Sequence, residues 1–236
     1  MTDWQLNKSC ILLDAAEGTL RPGGLGLTTE ALEVCRFAPR SRILDAGCGT
    51  GVTVQQVSSR GNYEVFGIDR SPSLLAEARS QGHRPALICG DLESLPFANQ
   101  SFDGIICECT LSQTRVSAVL PEFGRVLRPG GALILTDLYR KRTPKSPLSG
   151  CNERDSLATK DQTMDLLKAA RFETTHWQDR TGDLKQLAFR LIMAPGACLD
   201  NLLGWSRQSG EAQEQALNHD WQSLGYQLLI ARRMTT

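Results

Sequence analysis

Ile43-Leu44-Asp45-Ala46-Gly47-Cys48-Gly49-Thr50-Gly51 is the stretch on which the fold turns. The apolar run Arg42 to Ala46 reads as a β-strand, and the three glycines after it as a tight loop. A helix carrying Val54 and Val57 on one side follows. Strand, glycine loop and helix in that order bring a small ligand against bare backbone at the carboxyl edge of a sheet. Glycine permits both the turn and the close approach.

Outward from this unit, strand-like and helical runs alternate. Upstream, Arg21-Pro22-Gly23-Gly24-Leu25 reads as a turn. A helix is predicted from about Thr28 to Ala38, with Ala31, Val34, Cys35 and Ala38 on one face, and Pro39 ends it. Downstream, strands are predicted at Tyr63 to Ile68, Ala86 to Cys89, Phe102 to Cys107 and Ala132 to Asp137. Ser71-Pro72 opens one helix as N-cap and first residue. A second helix is expected from Pro121 to Leu127, before a Pro129-Gly130-Gly131 turn. Thr159 and Gln162 form a capping box for a helix ending near Ala170. Phe172 to Trp177 and Tyr226 to Ala231 are the last strands, separated by a helical insertion over 178–224. This alternation argues for an α/β fold, a parallel sheet covered by helices on both faces. The expected organisation is one domain over 1–236. Residues 1–27 form a cover segment, 40–138 the ligand-binding core, and 178–224 a lid.

Three acids then discriminate between possible ligands. A dinucleotide loop is the obvious competitor, but the spacing here is GxGxG, with Val52 where that fingerprint places its third glycine or alanine. More decisive is Asp45 at the strand's end, because a pyrophosphate prefers bare amides and is repelled by a carboxylate. S-adenosylmethionine has no phosphate and carries an ammonium and a sulfonium, so a carboxylate suits it. Asp69, after the second strand, is placed to accept ribose hydroxyls. Asp91, after the third, is placed to accept from the adenine amine.

Bulk composition excludes other classes. The 26 basic and 26 acidic side chains cancel, leaving no electrostatic footprint for nucleic acid or an anionic membrane. Arg140-Lys141-Arg142 with Lys145 reads as a solvated loop. No apolar run approaches the roughly 20 residues that span a bilayer, and Cys10 to Leu13 is too short for a signal-peptide core. The eight cysteines show no CxxC pairing, which reads as reduced thiols in a cytoplasmic protein without a metal site. Cys48, Cys89 and Cys107 are expected as small core residues, and His83, His176 and His219 on loops or surfaces. Oligomeric state is not legible.

The run Ile43 to Gly51, Gly67-Ile68-Asp69, Gly90-Asp91-Leu92 with Leu95-Pro96-Phe97, Ser101-Phe102-Asp103, and Arg125 to Gly131 together resemble class I S-adenosylmethionine-dependent methyltransferases. The similarity is strongest to the type 11 group that includes quinone C-methyltransferases, and it covers Leu25 to Leu138. The resemblance implies a Rossmann-like, doubly wound, seven-stranded sheet, mostly parallel, with an antiparallel last strand. It also implies that Asp45, Gly47 and Gly51 flank the methionine part of the donor, Asp69 binds ribose, and Asp91 and Leu92 meet adenine. Asp103 is assigned a structural role. With their neighbours Cys48, Gly49, Arg70 and Glu108, these residues form the candidate donor-binding set.

Methyl transfer from a sulfonium is an in-line displacement that mainly requires positioning, so the missing catalytic dyad is no objection. The acceptor, a small molecule, is expected beyond the fourth strand, near Glu108 to Ser112. Glu108, Cys109 and Cys151 are the candidates for contact with it. Cys109 and Cys151 resemble the metalloid-binding cysteines of arsenite methyltransferases, an alternative in which a soft acceptor meets thiolates, although the surrounding motifs differ. A non-catalytic donor-binding module is the remaining alternative. The Arg21 to Thr28 segment is expected to fold over the donor's carboxylate end.

Overall fold

The computed structural model describes residues 21–80, 86–142, 157–193 and 223–235. Seven strands form a single sheet: β1 (Arg42–Ala46), β2 (Glu64–Asp69), β3 (Ala86–Cys89), β4 (Phe102–Glu108), β5 (Leu127–Arg140), β6 (Phe172–Asp179) and β7 (Leu224–Arg233). Their order is β3-β2-β1-β4-β5-β7-β6. β1 to β5 pair in parallel, and β7 lies antiparallel between β5 and β6. The doubly wound α/β architecture is therefore the expected one. The helices are α1 (Gly24–Cys35), α2 (Val52–Arg60), α3 (Pro72–Ser80), α4 (Val116–Val126), α5 (Lys160–Ala169) and α6 (Thr181–Met193). Cys10, Cys151, Cys198, His83, His219 and most of 194–224 lie outside the described residues.

Period-two alternation on the central strands feeds two cores. Ile105, Cys107, Leu133 and Leu135 join Val119, Phe123 and Leu167 on the α4–α5 face. Ile106, Ala132 and Ile134 join Leu27, Ala31, Val54 and Tyr226 on the α1–α2 face. Because helices cover both faces, these strands are apolar throughout rather than alternating with polar residues. The Leu95-Pro96-Phe97 stretch is fixed by Arg125, which donates to the carbonyls of Leu95 at 2.9 Å and Phe97 at 2.7 Å. Phe97 then stacks edge-on against Phe102 at 4.9 Å. Asp103 has the structural role expected of it: it accepts the Arg42 amide at 2.8 Å and pairs with Arg128.

Four local expectations are corrected. α1 begins at Gly24 rather than Thr28, because Gly23 (φ 75°) is the left-handed N-cap, and it stops at Cys35, before Arg36 (φ 51°). α4 begins at Val116, with Pro121 inside it. The buried Val119, Leu120, Phe123 and Val126 hold one face, and packing outweighs the missing amide. Pro129-Gly130-Gly131 lies within β5 as an irregular start, Leu127 pairing with Phe102 before the register shifts. Cys89 is exposed, not core, because it ends the edge strand β3.

The Thr159 capping box is complete. The hydroxyl accepts the Gln162 amide at 3.3 Å, and the Gln162 side chain accepts the Thr159 amide at 2.8 Å. Thr159→Ala is expected to cost about 1 kcal/mol. Urea denaturation checks this, and an unchanged midpoint would contradict it.

Candidate functional site

Sheet order places the site. From β1 the chain winds outward through β2 and β3, then crosses to β4 on the other side of β1. The crevice at that reversal opens above the carboxyl ends of β1 and β4, where ligands of doubly wound sheets sit. The glycine loop occupies it. The amides of Gly47 and Cys48 both donate to the Ile68 carbonyl, at 2.8 and 3.0 Å, which lays the loop across the end of β2. Gly47, Gly49 and Gly51 have φ of 84°, 51° and 77°, a conformation open to glycine at little cost. In β2, a side chain at Gly67 would collide with Cys48, its Cβ falling 2.8 Å from Sγ. This explains the glycine before Ile68-Asp69.

Asp45 is the chemically unusual residue. It is 3% exposed, and its Oδ2 is buried without a hydrogen-bond partner among the described residues. Burial pushes its carboxyl well above the ordinary range. The charges of Glu108 and Asp69 add to the shift, and Arg21 opposes it. An isolated buried carboxylate is unfavourable unless something cationic or hydrogen-bonding meets it.

The other acids are more fully engaged. Asp69 accepts the Gly49 amide at 2.8 Å on one oxygen and the Ser71 amide at 2.9 Å on the other. Each oxygen keeps a second lone pair, so the residue organises the loop while retaining capacity for a ligand. Asp91 is exposed and accepts the Glu93 amide at 2.9 Å, a local turn. Leu92 is buried beside Leu95 in the α4–α5 core. Arg70 is exposed at the end of β2, where its carbonyl faces the Cys89 thiol at 3.9 Å. Cys48 is buried, and its thiol is pushed up by burial.

Glu108, at the end of β4, sits in a buried polar cluster. Oε1 accepts the Thr28 hydroxyl at 2.8 Å, and Oε2 accepts the Thr53 hydroxyl at 3.0 Å. Arg21 closes the cluster with an ion pair to Oε2 at 2.7 Å. Sequence reasoning identified Glu108 but missed these three partners. Thr28 and Thr53 stand among apolar helix residues, and only the tertiary fold shows that both reach one carboxylate.

Cys109 takes a left-handed backbone, φ 51°, and its Sγ lies 3.2 Å from the buried Tyr226 hydroxyl. Burial pushes the thiol upward. Among the described residues no group of three or more His, Cys, Asp or Glu is disposed to hold a metal. Thr110 packs its side chain directly onto Gly47. His176 lies within β6 rather than on a loop, with Nε2 buried and without a hydrogen-bond partner among the described residues.

Residues 44–135 match the family model described as a methyltransferase domain. The uncharacterised methyltransferase YodH of Bacillus subtilis is 37% identical over 117 residues, covering 48% of this chain and 50% of that protein. This chain thus spans about half the length of that relative. The O-methyltransferase cnsE of Penicillium expansum is 29% identical over 208 residues, 84% of this chain and 74% of its own length. Among solved structures, the [4+2]-cyclase SpnF aligns with TM-score 0.72 and 25% identity, covering 98% of this chain and 96% of that one. Phosphoethanolamine N-methyltransferase 2 of Haemonchus contortus, in complex with S-adenosyl-L-methionine, aligns with TM-score 0.71, 20% identity, and coverage of 91% and 54%. At that identity the likeness concerns the fold.

Proposed function

Taking this chain as a class I S-adenosylmethionine-dependent methyltransferase, we propose that it moves the donor's methyl group to a small-molecule acceptor bound beyond β4. The observation that carries the reading is Asp45. A buried carboxylate with an unpaired oxygen, beside a loop of three left-handed glycines, suits a ligand bearing an ammonium and disfavours one bearing a diphosphate.

In this reading Asp45 receives the donor's ammonium, and the backbone of Gly47 to Gly51 borders its methionine part. Asp69 accepts from ribose, while Asp91 and Leu92 border adenine with Cys48, Gly49 and Arg70 alongside. Arg21, whose charge reaches Asp45, is the cation for the donor's carboxylate. Residues 40–138 are the donor-binding core. The donor supplies an electrophilic methyl carbon: the acceptor's lone pair forms the new bond, the carbon–sulfur pair returns to sulfur, and any acceptor proton passes to solvent or a base. The chain's contribution is to hold the reactants in line and exclude water. Glu108 is held by Arg21, Thr28 and Thr53, so its role is to set the end of β4 and the start of α1 rather than to take a proton. Nothing in the similar proteins favours the metalloid or the regulatory-module alternative. No helix among the described residues is long and apolar enough to cross a membrane. The free thiols of Cys35, Cys48, Cys89, Cys107 and Cys109 accord with a reducing cytoplasm.

Titration calorimetry with S-adenosylmethionine, S-adenosylhomocysteine and NADH tests the donor. Micromolar binding of both sulfur nucleosides is expected, with none for NADH; NADH binding alone would overturn the assignment. Release of S-adenosylhomocysteine in the presence of candidate acceptors then measures turnover.

A further inference from the structure

The crevice opens at the carboxyl ends of β1 and β4. The opposite rim of the sheet is formed by the amino ends of the parallel strands and by the last residues of antiparallel β7. That rim carries a row of arginines. Arg36 and Arg40 lie between α1 and β1, Arg60 ends α2, Arg171 lies between α5 and β6, and Arg232 and Arg233 end β7. Backbone and side-chain bonds tie the row together. The Arg40 amide donates to the Asn62 carbonyl, just past Arg60. Arg232 donates to the Cys35 carbonyl at 3.0 Å, beside Arg36, and the Arg171 carbonyl accepts the Met234 amide at 2.9 Å. From β2 to β6 the row crosses five inter-strand spacings, about 24 Å.

Its charge is not neutralised. Arg42, Arg125 and Arg128, on the same rim, pair with Glu64, Glu122 and Asp103. Arg36, Arg40, Arg60 and Arg171 are exposed, and their side chains make no ion pair among the described residues. Arg232 and Arg233 donate to the carbonyls of Gly130, Cys35 and Leu127, which leaves their charge in place. Against these six guanidinium groups stand two unpaired acids, Glu33 in the last turn of α1 and Glu173 opposite Arg232.

Local structure does not ask for arginine here. Arg36, Arg40 and Arg171 have φ of 51°, 67° and 63°, the left-handed region that glycine enters without strain and that glycine or asparagine usually fills at a helix end. The helix dipole favours a cation in a last turn. That accounts for Arg60, but Arg40 sits in a turn, and Arg232 and Arg233 in a strand. The chain accepts backbone strain at three positions and keeps a cation at each.

We propose that this rim docks on an anionic phospholipid surface, leaving the crevice on the opposite edge open to solvent. Each arginine held near such a surface contributes about fivefold in affinity, and a row of them needs no pocket. Two exposed apolar side chains accompany the row: Val34, two residues before Arg36, and Met234, bonded through its amide to Arg171. Single-stranded nucleic acid instead calls for open aromatic platforms. The rim's aromatics, Phe37 and Tyr63, are half-buried and pack edge-on against each other at 6.3 Å. The balanced charge of the whole chain conceals the row, because the compensating acids lie elsewhere. None of this depends on which ligand fills the crevice.

Vesicle co-sedimentation tests the proposal, with equal parts phosphatidylglycerol and phosphatidylcholine against phosphatidylcholine alone. Wild type should bind the anionic vesicles at least tenfold more tightly, and should lose that margin between about 0.05 and 0.5 M salt as the screening length shrinks. The triple variant Arg36→Gly, Arg40→Gly, Arg171→Gly should lose at least tenfold on anionic vesicles. It should melt no lower than wild type, because glycine relaxes each left-handed position. Arg60→Gln removes one charge without touching those turns and should lose roughly fivefold; it decides the matter if the triple variant melts early. Equal affinity for the two vesicles, or unchanged affinity in both variants, would overturn the proposal. Tighter binding of duplex DNA, or of polyglutamate as the stand-in for an acidic protein, would do the same.

Discussion

Gly47→Ala is expected to collapse the glycine loop, lowering the melting temperature by roughly 10 °C and abolishing measurable S-adenosylhomocysteine binding. Two independent costs act at this position. The backbone has φ 84°, which a side chain tolerates only with strain of about 1–3 kcal/mol. The new Cβ would also fall 2.3 Å from Thr110 Oγ1, 2.5 Å from its Cγ2 and 2.9 Å from its Cβ. Thr110 cannot simply turn away. It is β-branched, and its hydroxyl donates to the Glu108 carbonyl at 2.9 Å. Overpacking of this kind adds about 1–3 kcal/mol more. Gly49→Ala separates the costs, since Gly49 has φ 51° but nothing within 4 Å of an added Cβ; it should lose only the first. Thr110→Ala combined with Gly47→Ala should recover part of the loss, because the two closest atoms are gone. Differential scanning calorimetry of the four proteins decides it. A Gly47→Ala protein melting within 2 °C of wild type would refute the packing argument.

The loop shows why some of this molecule was legible in its sequence. Ile43 to Gly51 is local: strand, turn and helix follow from residues that touch their neighbours in the chain, and the same holds for the Thr159–Gln162 capping box. Alternation of such units dictated the doubly wound sheet. Errors arose where tertiary packing overrode a local rule. Pro121 resembled a helix start, yet Val119, Leu120, Phe123 and Val126 pull the helix back to Val116. Cys89 looked like core because its strand is apolar, but a strand at the sheet's edge is covered less completely, and edge position is a property of topology. The site divides the same way. Asp45 and Asp69 could be found at strand ends, whereas the cluster around Glu108 could not. Arg21, Thr28 and Thr53 come from a turn and two helices that meet only once the sheet is assembled.

Asp45→Asn is expected to weaken S-adenosylhomocysteine binding roughly 10- to 100-fold, the effect of losing a charged hydrogen bond of about 1.5–3 kcal/mol, while making the unliganded protein more stable at neutral pH. The pairing of these outcomes follows from the sign of one proton equilibrium. Burial, with Glu108 and Asp69 nearby, holds the Asp45 carboxyl above its ordinary value in the folded chain. The folded state therefore binds this proton more tightly than the unfolded state. Its contribution to stability is complete below the ordinary carboxyl range and is lost as pH rises through the raised value. Asparagine, neutral at every pH, escapes that loss. Its melting temperature should match wild type in acid and exceed it near pH 7. Ligand binding runs the other way, because an ammonium needs the ionised carboxylate. In wild type, binding must release the Asp45 proton at low pH, so affinity should tighten as pH rises through the raised value. In Asp45→Asn this proton-linked dependence should vanish. Calorimetric titrations across that pH range, in buffers of different ionisation enthalpy, read the released proton directly. A variant that binds S-adenosylhomocysteine as tightly as wild type and keeps the same pH dependence would show that the buried carboxylate faces something other than the donor's ammonium.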